Sequence, residues 1–131
     1  MNSRGKTIMT PPIIHRPDEA DSYAFREGCD ILEPWNRSDD PALSIARATV
    51  PVGVTTRVHW LERTTERYLI LSGQGLARIG ELPETQVQPG DVIHIPPGCP
   101  QSIQNTGSVP LVFLAICTPR FEPAVYHQCD D

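Results

Sequence analysis

Residues 53–73, GVTTRVHWLERTTERYLILSG, decide the fold that we predict for this chain. The stretch places His59 and Glu66 on two short strands joined by a polar turn, with a glycine at each end. Side chains alternate between the two faces of a strand, so a polar residue can point inwards among apolar neighbours. Histidine and glutamate are residue types that bind a metal or hold a small polar ligand.

A second stretch, residues 90–105 (GDVIHIPPGCPQSIQN), has the same mixture of short strands, rigid turns and polar side chains. Prolines 96, 97 and 100 leave no room for a helix in it. We predict that it pairs with the first stretch, and that the two together line one pocket inside a small β-barrel.

The composition favours a single all-β domain. The chain has 131 residues, enough for one core, and its 14 prolines and 9 glycines favour many short elements joined by turns. Strand patterns recur about every 8 to 12 residues, which is typical of a sandwich or barrel. We predict an arm over residues 1–19, flexible or crossing to a partner, and a barrel domain over residues 20–131. The predicted strands are 30–35, 43–50, 54–61, 67–72, 75–80, 85–88, 91–95, 101–105 and 111–117.

Charge and hydropathy exclude several classes of function. The net charge is −5 and the basic residues are scattered, which argues against a nucleic-acid partner. No apolar run approaches the roughly 20 residues that span a bilayer, and the N-terminus lacks the apolar segment of a secretory signal. We therefore predict a cytoplasmic protein without membrane partners. Its widely spaced cysteines are expected to be free thiols, namely Cys29, Cys99, Cys117 and Cys129.

The two stretches resemble the motifs of the cupin family, whose members are small jelly-roll β-barrels also called double-stranded β-helices. The first motif of that family is G-x5-H-x-H-x(3,4)-E-x6-G, and the second is G-x5-P-x-G-x2-H-x3-N. The resemblance covers roughly residues 43–120. The positions that fall in register are Gly53, His59, Glu66 and Gly73 in the first motif, with Gly90, Pro96, Gly98 and Asn105 in the second.

Two positions depart from the family pattern. Leu61 stands where the second histidine is usual, and Gln101 stands where the histidine of the second motif is usual. The resemblance implies a metal site built from His59, Glu66 and Gln101. An imidazole nitrogen, a carboxylate and an amide oxygen suit Zn, Fe, Mn or Ni, with water in the open positions.

Strand alternation predicts what else lines the barrel. Arg57 shares a face with His59, and Tyr68 shares a face with Glu66. We predict that Arg57 draws in an anionic substrate and that Tyr68 donates a proton. The alternatives are structural: His59 hydrogen-bonded to Glu66 in the core, and Tyr68 filling the barrel.

Two functions follow from the resemblance. The first is a metal-dependent enzyme that isomerises, or cleaves with oxygen, a small polar metabolite such as a sugar, an organic acid or a phenol. The alternative is a metal-free module that binds or senses a small molecule, with a degenerate metal site. The family also implies a homodimer, in which the arm before residue 20 crosses to the partner.

Overall fold

The structure is a computed structural model that describes residues 11–129. Within them, the chain forms eleven strands and two short 3-10 helices, at Glu19–Asp21 and Pro123–Val125. Neither helix has the length or the apolar character needed to cross a bilayer. The strands are β1 Tyr23–Ala24, β2 Asp30–Trp35, β3 Ser44–Val50, β4 His59–Leu61, β5 Thr65–Ser72, β6 Gly75–Ile79, β7 Thr85–Val87, β8 Val92–Ile95, β9 Gln101–Asn105, β10 Leu111–Thr118 and β11 Tyr126–Gln128.

The strands form two antiparallel sheets that face each other. The larger has the order β1-β2-β3-β10-β5-β8, and the smaller has the order β11-β4-β9-β6-β7. Several strands that are neighbours in a sheet are distant in the chain, as are β3 and β10, because the chain passes back and forth between the two sheets. The prediction of an all-β jelly-roll barrel is confirmed.

Alternation along β10 shows how the sequence builds the core. Leu111, Phe113, Ala115 and Cys117 are buried, while the residues between them are half-buried on the outer face. The inward side chains meet those of β3 and β5, which flank β10 in the sheet. Full burial of a large apolar side chain stabilises the fold by about 1.5 to 3 kcal/mol.

Asn105 joins the end of β9 to two other parts of the barrel. Its side-chain amide donates hydrogen bonds to the carbonyl oxygens of Val50 and Val109, each at 2.9 Å. Its Oδ1 accepts a third hydrogen bond, from the Gly107 amide at 2.9 Å. Because the residue is 2% exposed, water does not replace these partners when the side chain is removed.

We expect Asn105→Ala to lower the free energy of unfolding by about 2 to 4 kcal/mol, because it leaves buried backbone groups unpaired. Urea unfolding followed by circular dichroism measures the change. Thr106→Ala is the control, since the exposed Thr106 hydroxyl bonds only to Gln86, at 3.3 Å. A loss for Asn105→Ala no larger than that of the control would contradict this account of the turn.

The predicted strand over residues 54–61 is largely irregular in the structure. Only His59–Leu61 forms a regular strand, and Thr55 makes an isolated bridge to Gln104. The buried Thr56 hydroxyl takes the place of a ladder partner by accepting a hydrogen bond from the Ile103 amide at 3.0 Å. The alternation therefore breaks before His59, with consequences for Arg57 described below.

The predicted N-terminal arm is described only in part. Residues 1–10 lie outside the described residues, and residues 11–16 are exposed. An ion pair between Glu19 and Arg47 of β3, at 2.6 Å, joins the end of this segment to the barrel. The crossing arm, the homodimer and the cytoplasmic location stay predictions.

Candidate functional site

A small cavity lies at one end of the barrel between the two sheets. Its volume is about 50 Å³, and one water molecule needs roughly 10 to 15 Å³ of such space, so the cavity has room for a few non-hydrogen atoms. Apolar side chains form most of the wall, including Leu61, Tyr68 and Phe113. Tyr23, which is 41% exposed, stands at its solvent side. The titratable groups that line it are Glu27, Cys29, Glu33, His59, Glu66, Cys117 and the tyrosines 23, 68 and 126.

His59 presents a bare ring nitrogen in this cavity. The residue opens β4 opposite Gln101 of β9 and is 2% exposed. Its Nδ1 lies 2.8 Å from the carbonyl oxygen of Arg57. Since a carbonyl only accepts, Nδ1 carries the proton, and Nε2 of the neutral ring is left with its lone pair. A nitrogen in that state can accept a proton.

Glu27 enters the cavity from a hairpin outside both motifs. The chain turns back between β1 and β2, with Gly28 at a φ of 106° that favours glycine. The amide of Arg57 donates a hydrogen bond to the Glu27 carbonyl oxygen at 2.8 Å, which ties the hairpin to the segment before β4. Glu27 Oε2 consequently lies 3.4 Å from His59 Nε2.

Sequence reasoning missed Glu27, although a signal was present. Alternate residues from position 23 to position 33 all line the cavity, and Glu27 is the third of these six. The period of two continues across the hairpin because the register pairs Tyr23 with Ile31, so the odd-numbered residues of both strands share a face. The missed lining residues in this segment are Tyr23, Phe25, Glu27, Cys29, Ile31 and Glu33.

Burial displaces the pKa values of this pair in opposite directions. Desolvation raises the pKa of Glu27 to about 8, and the negative charge of Glu66 adds to the rise. Desolvation lowers the pKa of His59, against a smaller rise from its hydrogen bond to the Arg57 carbonyl. At neutral pH the proton therefore resides on the Glu27 carboxyl, while the imidazole is neutral, the reverse of the order in water.

Glu66 brings a second carboxyl into the cavity from β5. Burial raises its pKa to about 7, against smaller lowering effects of the Gln101 amide and the Cys117 thiol. The Cys117 thiol points to Oε2 at 3.8 Å, but Oε1 has no hydrogen-bond partner of acceptable geometry. A buried polar atom without a partner is rare in a native structure and indicates a functional position.

Tyr126 of β11 covers His59 from the C-terminal segment. The two rings stack with their centroids 5.0 Å apart and an interplanar angle of 21°. Tyr126 is 6% exposed, and its hydroxyl also has no hydrogen-bond partner. Arg26 lies over the face of the ring, 4.1 Å from its centroid.

The side chains of Tyr68 and Gln101 are hydrogen-bonded to each other. The Tyr68 hydroxyl donates a hydrogen bond of 2.6 Å to Gln101 Oε1, and both residues are buried. Burial raises the pKa of Tyr68 well above its usual value, with the neighbouring carboxyls adding to the rise. The Tyr68 ring forms part of the cavity wall, but its hydroxyl proton is already donated, so the role predicted for it does not carry into our proposal.

The prediction that Arg57 lines the barrel interior is wrong. Its side chain is exposed and does not contact the cavity. The physical reason is the irregular segment before β4, where the Thr56 side chain replaces regular pairing and the backbone of Arg57 serves Glu27 and His59 instead. What Arg57 contributes to the site is its peptide groups.

The donor set does not fit the implied metal. Gln101 already uses Oε1 as an acceptor for Tyr68, and the buried Leu61 offers no donor atom. Within residues 11–129 no three histidine, cysteine, aspartate or glutamate side chains are grouped as metal ligands. His59 and Glu66 line this cavity beside Glu27, whereas Gln101, predicted as the third ligand, is not among the lining residues.

Comparisons with known proteins agree with this architecture. An uncharacterized protein of Methanocaldococcus jannaschii, MJ1618, is 41% identical over 107 residues, which span 79% of this chain and 84% of that protein. Among solved structures, Streptomyces Pac13, described as a unique nucleoside dehydratase, superposes with a TM-score of 0.71 at 18% identity over 89% of this chain and 92% of its own.

KdgF from Halomonas sp. gives a TM-score of 0.71 at 16% identity, over 83% of this chain and 96% of its own. At such identities the likenesses show the fold alone. Residues 46–117 match the family described as "Cupin domain", which covers most of both sheets. The double-stranded barrel, the two motifs and this match together establish that the chain is a member of the cupin family.

Proposed function

We propose that this cupin is a metal-independent enzyme that moves protons on a small, neutral, polar metabolite, as an isomerase or a dehydratase. The observation that carries the proposal is the Glu27–His59 pair, with an acid and a base 3.4 Å apart in one buried cavity. Two titratable groups whose environments push their pKa values past each other are how proteins assign acid and base roles at neutral pH.

The reaction follows from where the protons reside. His59 Nε2 takes a proton from the carbon next to a carbonyl group, and the electron pair of that C–H bond forms the C=C bond of an enol. Glu27 gives its carboxyl proton to the carbonyl oxygen. If the carbon that lost its proton carries a hydroxyl, His59 returns the proton to the former carbonyl carbon, and that hydroxyl gives its own proton to the Glu27 carboxylate as it becomes the new carbonyl group. The product is an isomer, and both residues regain their starting protonation states. If a β-hydroxyl leaves instead, His59 supplies the proton that makes it water, and Glu27 regains its proton from the enol.

The lining indicates the charge of the substrate. Three carboxyl groups line the cavity, Glu27, Glu33 and Glu66, and none of its described lining residues is a lysine or arginine. An anion would find no compensating cation among these residues. We therefore propose a neutral substrate in place of the anionic one expected when Arg57 was placed inside.

The comparisons support the reaction class without showing it. Pac13, which shares the fold over nine-tenths of both chains, is described as a dehydratase, and variants of it were solved with uridine. Removing water from a carbon skeleton is a proton transfer of the kind that an acid–base pair performs. Because the donor set does not fit a metal, we derive no step through one.

Deuterium exchange tests the proposal. Protein in D₂O is incubated with acetone, 2-butanone, hydroxyacetone and glyceraldehyde in turn, and loss of the C–H signal next to the carbonyl is followed by proton NMR. We expect exchange above the buffer rate for at least one compound. The rate should be unchanged after dialysis against a chelator and should not rise on addition of Zn²⁺, Mn²⁺, Fe²⁺ or Ni²⁺.

Two outcomes would overturn the proposal. If the chelator abolishes the exchange and an added metal restores it, the enzyme is metal-dependent, as the hypothesis of a site at His59, Glu66 and Gln101 requires. An absence of exchange with all four compounds, together with binding of one of them, would favour the metal-free binding module.

A further inference from the structure

Two buried polar atoms in the described chain lack a partner, and both line the same cavity. They are Glu66 Oε1 on β5 and the Tyr126 hydroxyl on β11, on opposite sheets. Their residues are 8% and 6% exposed, so bulk water does not satisfy them. An unpaired polar group costs about 1 to 3 kcal/mol when buried. The groups that could pair with these two atoms therefore indicate the chemistry of the ligand that binds in the cavity.

Tyr126 supplies a hydrogen-bond donor. Burial raises the pKa of its hydroxyl, and the nearby Glu27 carboxyl adds to the rise, so the proton stays on the oxygen. Its ring is fixed between the stacked His59 imidazole and the edge of Phe25, with centroids 5.0 Å and 5.1 Å away. A fixed phenol O–H with no acceptor matches a carbonyl oxygen on the ligand.

Glu66 supplies an acceptor. The Cys117 thiol occupies Oε2, so Oε1 is the atom left for a ligand. Above its pKa of about 7 the Glu66 carboxyl is ionised, and a charged carboxylate oxygen accepts a hydrogen bond from a hydroxyl group strongly. A ligand hydroxyl is therefore the group that completes this side of the cavity.

We propose that the natural ligand is a small neutral hydroxycarbonyl compound, whose carbonyl oxygen accepts from the Tyr126 hydroxyl and whose own hydroxyl donates to Glu66 Oε1. This inference rests on the site of the proposed function and assigns Tyr126 and Glu66 as its binding residues. A carbonyl held beside the stacked His59 ring also places its neighbouring carbon within reach of the base. The cavity of about 50 Å³ limits the enclosed part of the ligand to a few non-hydrogen atoms.

Binding of matched probes tests the assignment. Hydroxyacetone carries both groups, acetone lacks the hydroxyl, propane-1,2-diol lacks the carbonyl, and lactate carries a negative charge. Dissociation constants are measured at pH 7.5 by titration of ¹⁵N-labelled protein followed by NMR. We expect hydroxyacetone to bind about 10-fold more tightly than any of the other three, the effect of one good buried hydrogen bond.

Variants separate the two contacts. Tyr126→Phe keeps the stacked ring and should weaken hydroxyacetone and acetone about 10-fold each, because both carry the carbonyl group, while leaving propane-1,2-diol unchanged. Glu66→Met should weaken hydroxyacetone by a similar factor and leave acetone unchanged. Glu84→Met makes the same chemical change as Glu66→Met at an exposed residue outside the cavity lining, where Glu84 pairs with Arg78 at 2.7 Å. This control should bind hydroxyacetone like the parent protein.

The inference and the proposed function fail differently. If the four probes bind alike, or if the Tyr126 and Glu66 variants bind hydroxyacetone as tightly as the parent protein, the two atoms are satisfied by enclosed water and the inference is overturned. Deuterium exchange on acetone as fast as on hydroxyacetone would leave the proposed function intact while removing the ligand class. Selective binding of hydroxyacetone without exchange would support the ligand class and remove the catalysis.

Discussion

His59→Gln is expected to slow proton exchange on the responsive carbonyl compound by about 10² to 10⁴-fold, the usual contribution of a positioned general base. Glutamine can still donate a hydrogen bond towards the Arg57 carbonyl, as Nδ1 does at 2.8 Å. It offers no nitrogen lone pair in place of Nε2, so the fold is preserved while the base is lost. The rate is measured by proton NMR in D₂O under saturating substrate.

The matched control is His127→Gln. That ring is half-buried, stacks on Trp60 at 4.3 Å and pairs with Glu62 at 2.9 Å, away from the cavity lining. We expect it to retain the parent rate. Circular dichroism and melting temperature establish that both variants fold. A His59→Gln rate within threefold of the parent would mean that another group is the base.

Glu27→Gln is expected to make the protein more stable at alkaline pH than the parent. The Glu27 carboxyl has a pKa of about 8 in the fold, above its ordinary value of 4.5 in an unfolded chain. Between these values the unfolded chain has released a proton that the folded protein keeps, so stability falls as pH rises. The stabilisation that the folded parent protein gains from this raised pKa is complete below pH 4.5 and is lost as pH rises through about 8.

The size of this effect follows from about 1.4 kcal/mol for each pKa unit. We expect the difference in unfolding free energy between Glu27→Gln and the parent to grow by on the order of 4 kcal/mol from pH 5 to pH 8.5. Urea unfolding at four pH values measures it. Glu66, with its pKa raised to about 7, adds a slope of the same sign in both proteins.

Glu84→Gln provides the control for charge removal at the surface, because Glu84 is exposed and pairs with Arg78 at 2.7 Å. Its stability difference should stay within a few tenths of a kcal/mol across the range. His59 works in the opposite sense, since its lowered pKa costs stability only as pH falls below about 6.5. A flat difference between Glu27→Gln and the parent would show that Glu27 is ionised in the fold.

The strands that pair in the barrel were predictable because each is a local pattern. β2 and β9 have the predicted bounds, and β10 differs by one residue at its end. Alternation of apolar and polar residues reports burial of one face, whatever strand lies beside it. The strand predicted at 54–61 failed where a side chain, Thr56, replaced the backbone partner, which no local pattern reveals.

The sequence alone determined the fold and the presence of His59 and Glu66 in the site. The spacing of the glycines and prolines predicts the turns, and alternation predicts which side chains of a strand point inwards, because both are properties of neighbouring residues. Only the tertiary structure decided which groups meet. Glu27 reaches His59, Tyr126 covers it, and Arg57 is left outside, through contacts between segments 30 or more residues apart. Those contacts also set the pKa values. Burial raises the pKa of Glu27 and lowers the pKa of His59, and both side chains are buried only once the barrel has closed.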